Sequence, residues 1–245
     1  GSMRMNESIL EAIGGTPMVR LNRVVPTGGA EVFAKCEYAN PGGSIKDRMT
    51  KYIIDKAIAD GDLAPGGIIV ENTSGNTGAG LALIAAVYGC RLIVTLPDKM
   101  SLEKINTLKA FGAEVVVTPT AVPADHPDSY YETAIRIARE TPGSFYVNQY
   151  HNPMNIEAHQ NTTAPEIFAD MDGRVDAIVA GVGTGGTISG IGRYMREHSP
   201  ETRIIGVDPV GSVYYDMFKH DTMPEPQVYK VEGIGEDMAC AALDM

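Results

Sequence analysis

The sequence predicts an α/β protein, two α/β domains with mainly parallel sheets, on three observations. Short β-branched runs alternate with segments of helical periodicity along the whole chain. Each run ends in a turn signal. The run "DAIVAGV" at 176–182 is nearly all apolar, as expected of a central strand with both sheet faces covered. In chain order, a strand at 31–36 precedes a helix over 46–60, where Met49, Tyr52, Ile53, Ala57 and Ile58 keep the period of roughly 3.6 residues of a buried stripe. Strand 68–71 then leads to helix 78–88, strand 91–96 to helix 102–111, and strand 114–118 to helix 129–140. Strand 144–147 is followed by helix 157–171, strand 175–180 by helix 187–198, and strand 203–207 closes the series. The clearest loop is "TAVPADHPDS" at 120–129, where several kinds of turn former cluster.

At 245 residues and 44% hydrophobic, the chain can bury a large core. A formal net charge of −11, with no stripe of Lys and Arg, argues against a nucleic-acid partner. The longest apolar stretches, such as 81–87, fall short of the ~20 residues a membrane span needs, and no charged and then apolar leader opens the sequence. No membrane partner and a cytoplasmic location are therefore the expectations. Cys36, Cys90 and Cys240 are odd in number and widely separated, which suits buried thiols in a reducing compartment better than a disulfide framework or a zinc site. His126, His151, His159, His198 and His220 form no metal or triad pattern, so no metal is expected.

Three loops carry chemistry. In "NPGGSIKDR", residues 40–48, the loop formers Pro41, Gly42, Gly43 and Ser44 deliver Lys46 to the start of a helix. There the helix dipole and partial burial disfavour its charged form and favour the neutral amine that covalent chemistry with a carbonyl requires. Taken alone, Lys46 reads more readily as a solvated residue near a helix start. In "NTSGNTG", residues 72–78, the hydroxyls of Thr73, Ser74 and Thr77, the amide of Asn76 and several N–H groups converge on a helix N-terminus, which suits a carboxylate. The bland alternative is an ordinary N-cap, although Gly75 and Gly78 let a ligand approach the backbone. In "GVGTGGT", residues 181–187, bare N–H groups and Thr hydroxyls follow an apolar strand and precede a helix, as a phosphate site requires. Gly181, Gly183 and Gly186 also satisfy GxGxxG, with Asp208 ending the next strand, so a dinucleotide site and an NAD(P)-binding oxidoreductase compete. The combination favours an amino acid joined to a phosphorylated aldehyde: an amine nucleophile, a carboxylate cradle and a phosphate cradle, all at the ends of parallel strands.

These loops resemble those of fold type II pyridoxal-phosphate enzymes, the cysteine synthase and cystathionine β-synthase family, tryptophan synthase β-like in fold. The resemblance runs from "IGGTPMVRL" at 13–21 to "VEGIGED" at 231–237. It implies pyridoxal 5'-phosphate as cofactor, held by Lys46 as a Schiff base, with Asn76 on the ring oxygen and Gly183, Thr184, Gly185, Gly186 and Thr187 on the phosphate. Thr73, Ser74, Gly75, Thr77 and Gln149 are the implied substrate-binding residues. The implied reaction is β-replacement on serine or an O-activated serine by a thiol, in which Lys46 also moves the α-proton.

Within the family, "SLEKINTLKAFGAEVVVTPT", "QYHNPMNIEAHQNTTAPEI" and "RIIGVDPVGS" lean toward cystathionine β-synthases, with homocysteine as nucleophile, over cysteine synthases, with O-acetylserine and sulfide. Glu236 stands where many cystathionine-forming members carry Tyr. The resemblance further implies a smaller, mobile domain at 41–147, a larger cofactor-anchoring domain from 3–40 and 148–245, and a homodimer. Family members continue beyond "GIGED" with more sheet, helix and a serine facing the pyridine nitrogen, so the C-terminal part of the fold is expected to lie past Met245.

Overall fold

In the computed structural model, residues 5–73 and 75–244 are described; residues 1–4, Ser74 and Met245 lie outside that set. The first half is built on a parallel sheet. After a short antiparallel pair, β1 (Met18–Arg20) with β2 (Phe33–Lys35), the chain enters α1 (Lys46–Asp60). Then follow β3 (Ile68–Asn72), α2 (Asn76–Tyr88), β4 (Arg91–Pro97), α3 (Leu102–Ala110), β5 (Glu114–Thr118), α4 (Tyr130–Glu140) and β6 (Ser144–Tyr146). The sheet order is β5-β4-β3-β6, every pair parallel.

Burial explains these elements. Met49, Ile53 and Ala57 of α1 fall on one face and are almost wholly buried, as their spacing predicts. They pack with Leu81 and Ile84 of α2 and with Ile69, Val94 and Leu96 of the sheet. Each of these side chains except Ala57 contributes about 1.5–3 kcal/mol by leaving water. Polar groups close the helix ends: the Ser101 and Ser129 hydroxyls accept the N–H groups of Lys104 and Glu132, capping α3 and α4. Gly61 and Gly89 end α1 and α2 in the left-handed conformation that favours glycine.

The second half holds α5 (Pro153–Ala158), a π-helical turn (His159–Thr163), α6 (Ala164–Asp170), β7 (Ala177–Gly181), α7 (Gly186–His198), β8 (Arg203–Val207) and α8 (Tyr214–His220). The single helix expected over 157–171 is thus interrupted. It begins earlier, because Asn152 caps Met154 N–H and Pro153 suits the first helical position. The wide turn precedes Pro165, which has no N–H to continue the ladder.

A second expectation also fails. The apolar run at 176–182 is not covered on both faces: β7 pairs only with β8 among the described residues, and Val179 is 63% exposed. Ile178 packs toward Ile191 and Met195 of α7, while Val179, Ile205 and Val207 face outward. The two halves are tied by Arg48, which donates to Glu37 (2.7 and 2.8 Å) and to Glu166 (2.8 and 2.7 Å) with a side chain only 1% exposed.

Candidate active site

Parallel strands leave their C-terminal ends on one edge, and the predicted loops meet there. β3 and β6 are neighbours, so the turn after Asn72 and the turn after Tyr146 lie side by side. One cleft of about 850 Å³ is lined by Lys46, Thr73, Gly75, Asn76, Thr77, Gln149, Gly183 and Thr184. Ser74 lies outside the described residues. A smaller hollow of about 490 Å³, beside Gly14, Arg48 and Glu166, shares no lining residue with that cleft. Its guanidinium is already saturated by two carboxylates.

Lys46 opens α1, its N–H donating to the Ser44 hydroxyl (3.1 Å). Burial lowers its pKa, partly offset by the charges of Glu236, Cys240 and Glu71. Among the described residues no acceptor holds the Lys46 ammonium, which leaves the amine free to react.

The threonine loop is tightly engaged. Thr73 Oγ1 accepts the N–H groups of Gly75 (3.1 Å) and Gly78 (3.3 Å), so this hydroxyl also does the capping that Ser, Thr and Asn ordinarily do. Thr77 donates to Gln149 Oε1 (2.6 Å), and Gln149 Nε2 donates to the Asn72 carbonyl (3.2 Å). Asn76 faces the cleft from the first residue of α2.

The glycine turn presents donors. Among the described residues the N–H groups of Gly183, Thr184, Gly185 and Thr187 have no acceptor, at the N-terminus of a helix of 13 residues. That is the arrangement an anion completes. Side chains are excluded from it: a Cβ on Gly183 would stand 2.9 Å from the Gly233 carbonyl, and one on Gly186 would overlap the Asn155 amide. Of the five residues expected to grip a phosphate, Gly183 and Thr184 line the cleft, while Gly185 and Gly186 are buried behind it. Thr187 is half-buried, its hydroxyl 3.4 Å from His159 Nε2. An amine at the base of the cleft, an unsatisfied anion cradle and a hydroxyl-lined pocket fit pyridoxal phosphate with an amino acid attached.

The sequence left several site residues unnoticed. Glu71 is fully buried, its carboxylate accepting Asn72 N–H (2.8 Å) and Gln149 N–H (3.1 Å); burial pushes its pKa up to about 8. His159 is fully buried and bonded to Thr163 Oγ1 (2.8 Å), with burial, then the charges of Lys46 and Arg48, pushing it down to about 3. Tyr130, Tyr131 and Tyr150 form one wall, the Tyr130 hydroxyl donating to Tyr131 (2.7 Å). Burial raises all three phenols, Tyr130 to about 12. The only signal was the "YY" at 130–131 and the Tyr after Gln149, neither of which has a spacing that marks a site. Asp208, the acid of the dinucleotide alternative, does not line the cleft; one carboxylate oxygen accepts Tyr215 N–H (3.0 Å) at the start of α8, and the other is buried without a partner among the described residues.

A family model described as "Pyridoxal-phosphate dependent enzyme" matches residues 9–244, and the chain belongs to that family. Its fold is the type II fold of these enzymes. A cystathionine beta-synthase of Rattus norvegicus is 48% identical over 99% of this chain and 44% of its own length. A cysteine synthase of Staphylococcus aureus is 42% identical over 94% of this chain and 71% of its own. The crystal structure of O-ureido-L-serine synthase superposes with a TM-score of 0.89 at 35% identity, covering 98% of this chain and 73% of that one. The chain therefore spans less than half the length of the cystathionine beta-synthase it matches. No helix among the described residues is long and apolar enough to cross a membrane, and no group of three or more His, Cys, Asp or Glu there can hold a metal ion.

Proposed function

We propose that the chain carries the site of a pyridoxal-phosphate-dependent β-replacement: serine or an O-activated serine reacts with a thiol, homocysteine, to give cystathionine. One observation carries the reading. The amine of Lys46 shares a single cleft with an anion cradle whose four N–H groups lack acceptors and with the hydroxyl pocket of Thr73 and Thr77.

Lys46 is the residue that binds the cofactor and moves the substrate proton. Gly183, Thr184, Gly185, Gly186 and Thr187 would hold the phosphate and Asn76 the ring oxygen. When bound, the cofactor supplies an electron sink that acidifies the substrate α-carbon. Burial lowers the Lys46 pKa and so favours the neutral amine, whose Nζ can accept that proton and later return it. Thr73, Ser74, Gly75, Thr77 and Gln149 receive the substrate carboxylate; Thr77 and Gln149 exchange their mutual hydrogen bond for it. The tyrosine wall remains protonated and limits water in the cleft.

The smaller domain is assigned to 41–147 and the larger to 3–40 with 148–245. Supporting this, the four-stranded sheet lies wholly between Ile68 and Tyr146, and clusters around Ile178 and Val182 form separately. A homodimer is part of the proposal, on the family resemblance alone. The test is to load the protein with pyridoxal phosphate and compare turnover of serine and O-acetylserine with homocysteine and with sulfide. Cystathionine as the favoured product supports the reading, and a preference for sulfide replaces it with cysteine synthesis.

A further inference from the structure

The β-replacement reading leaves open what the nucleophile must carry besides its thiol, and one acid in the cleft bears on it. Glu236 lines the same cleft as Lys46, and its charge acts on the lysine amine. Its backbone is pinned on both sides: the N–H donates to Ser212 Oγ (3.0 Å), and the carbonyl accepts Val213 N–H (3.1 Å). The main chain is therefore fixed at the cleft wall while the carboxylate stays free. Among the described residues no hydrogen bond or ion pair reaches that carboxylate. The other cleft acids differ. Glu232 pairs with Lys104 across the cleft, and Asp237 is exposed to water. Behind the cleft, Glu71 has two backbone donors.

Around Glu236 stand Tyr130, Tyr131 and Tyr150, whose hydroxyls bond to one another. Burial, then the neighbouring charge of Asp237, pushes the Glu236 carboxyl up to about 8. A desolvated carboxyl without a counter-charge gains most from a cation brought beside it. Lys46 cannot be that cation without losing the neutral amine the reaction uses. A second substrate with its own ammonium supplies what is missing, and by neutralising Glu236 it also relieves the pull that raises the Lys46 pKa. Hydrosulfide brings no such group.

Resting on the β-replacement reading, we propose that Glu236 is a specificity-determining residue that receives the ammonium of an amino-acid thiol, so that the cleft selects a thiol bearing an amine over one without it. The test uses the protein loaded with pyridoxal phosphate and a fixed donor amino acid. kcat/KM is measured for homocysteine and for 4-sulfanylbutanoate, which has the same carbon chain and carboxylate but no amine. A charge-assisted hydrogen bond corresponds to a preference for homocysteine on the order of ten- to a hundredfold. In Glu236→Gln the preference collapses toward one, through KM for homocysteine, and Glu236→Asp restores part of it. The proposal is overturned if the preference is the same in Glu236→Gln as in the unsubstituted protein, or if the unsubstituted protein shows none. Turnover of both thiols with a preference indifferent to residue 236 removes this inference alone. Failure of every thiol to react with any serine donor removes the β-replacement reading and this one with it.

Discussion

Gly186→Ala tests whether the glycine turn is a fitted cradle or merely a loop. The added methyl would overlap Asn155 Oδ1 and Cγ and lie 2.8 Å from Nδ2. Asn155 is fully buried and cannot simply rotate away, because Nδ2 donates to the Gln149 carbonyl (3.0 Å) and to Thr184 Oγ1 (2.9 Å). Moving it breaks two buried hydrogen bonds at about 1 kcal/mol each, and overpacking adds about 1–3 kcal/mol. A loss of about 3–5 kcal/mol is expected. The same movement releases Thr184 and the Gln149 turn, which predicts weaker cofactor retention. Gly192, six residues along α7, is the internal control, since a Cβ there meets nothing within 4 Å. Gly192→Ala is expected to stabilise by about 0.5–1 kcal/mol, because alanine loses less backbone freedom in a helix. Urea unfolding gives the stabilities, and absorbance of bound pyridoxal phosphate after dialysis gives retention. Equal stability and equal retention in the two variants would refute the reasoning.

Two further predictions concern the Arg48 network. Arg48→Ala leaves Glu37 and Glu166 facing each other without their shared cation and is expected to destabilise by about 3–5 kcal/mol in urea unfolding, as removal of one partner from a buried ionic group does. Burial alone would raise the Glu166 pKa, but hydrogen bonds from Arg48, Gly15 and Lys35 hold it at about 2, below its ordinary 4.5. Its folded value is the lower one, so its stabilising contribution is present above pH 4.5 and is lost as pH falls toward 2. The gap in unfolding midpoint between Arg48→Ala and the unsubstituted protein should narrow across that window; a gap constant with pH would show that Glu166 is not held by Arg48.

Much of the first half was legible because one physical signal dominated each element. α1 and β5 fall where periodicity and β-branching place them, and β3 and β4 differ only at their ends. The segment around Pro153 and Pro165 was misread because helical periodicity continues through a wide turn that only the missing proline N–H reveals. β1 and α8 are too short, at 3 and 7 residues, for a period to show. Residues 176–182 misled in the other direction: apolar composition shows what a strand can bury, and Val179 shows that the cover need not lie among the described residues.

At the site, Lys46 and the two ligand loops were readable because glycine, threonine and a helix start have local meaning. Glu71, His159 and the tyrosine wall were not, since their roles arise from contacts distant in sequence, such as Glu71 with Gln149 across 78 positions, or from the depth at which they are buried. Gly185 and Gly186 show a related limit: the loop's sequence does not say which of its residues face the cleft and which pack behind it.

The central claim concerns the amine at residue 46. Incubating the protein with pyridoxal phosphate, reducing with borohydride and mapping the peptides by mass spectrometry tests it most directly. The account predicts one stable pyridoxyl adduct, on Lys46; an adduct on another lysine, such as Lys99 or Lys104 at the rim of the same cleft, with Lys46 unmodified, would contradict it.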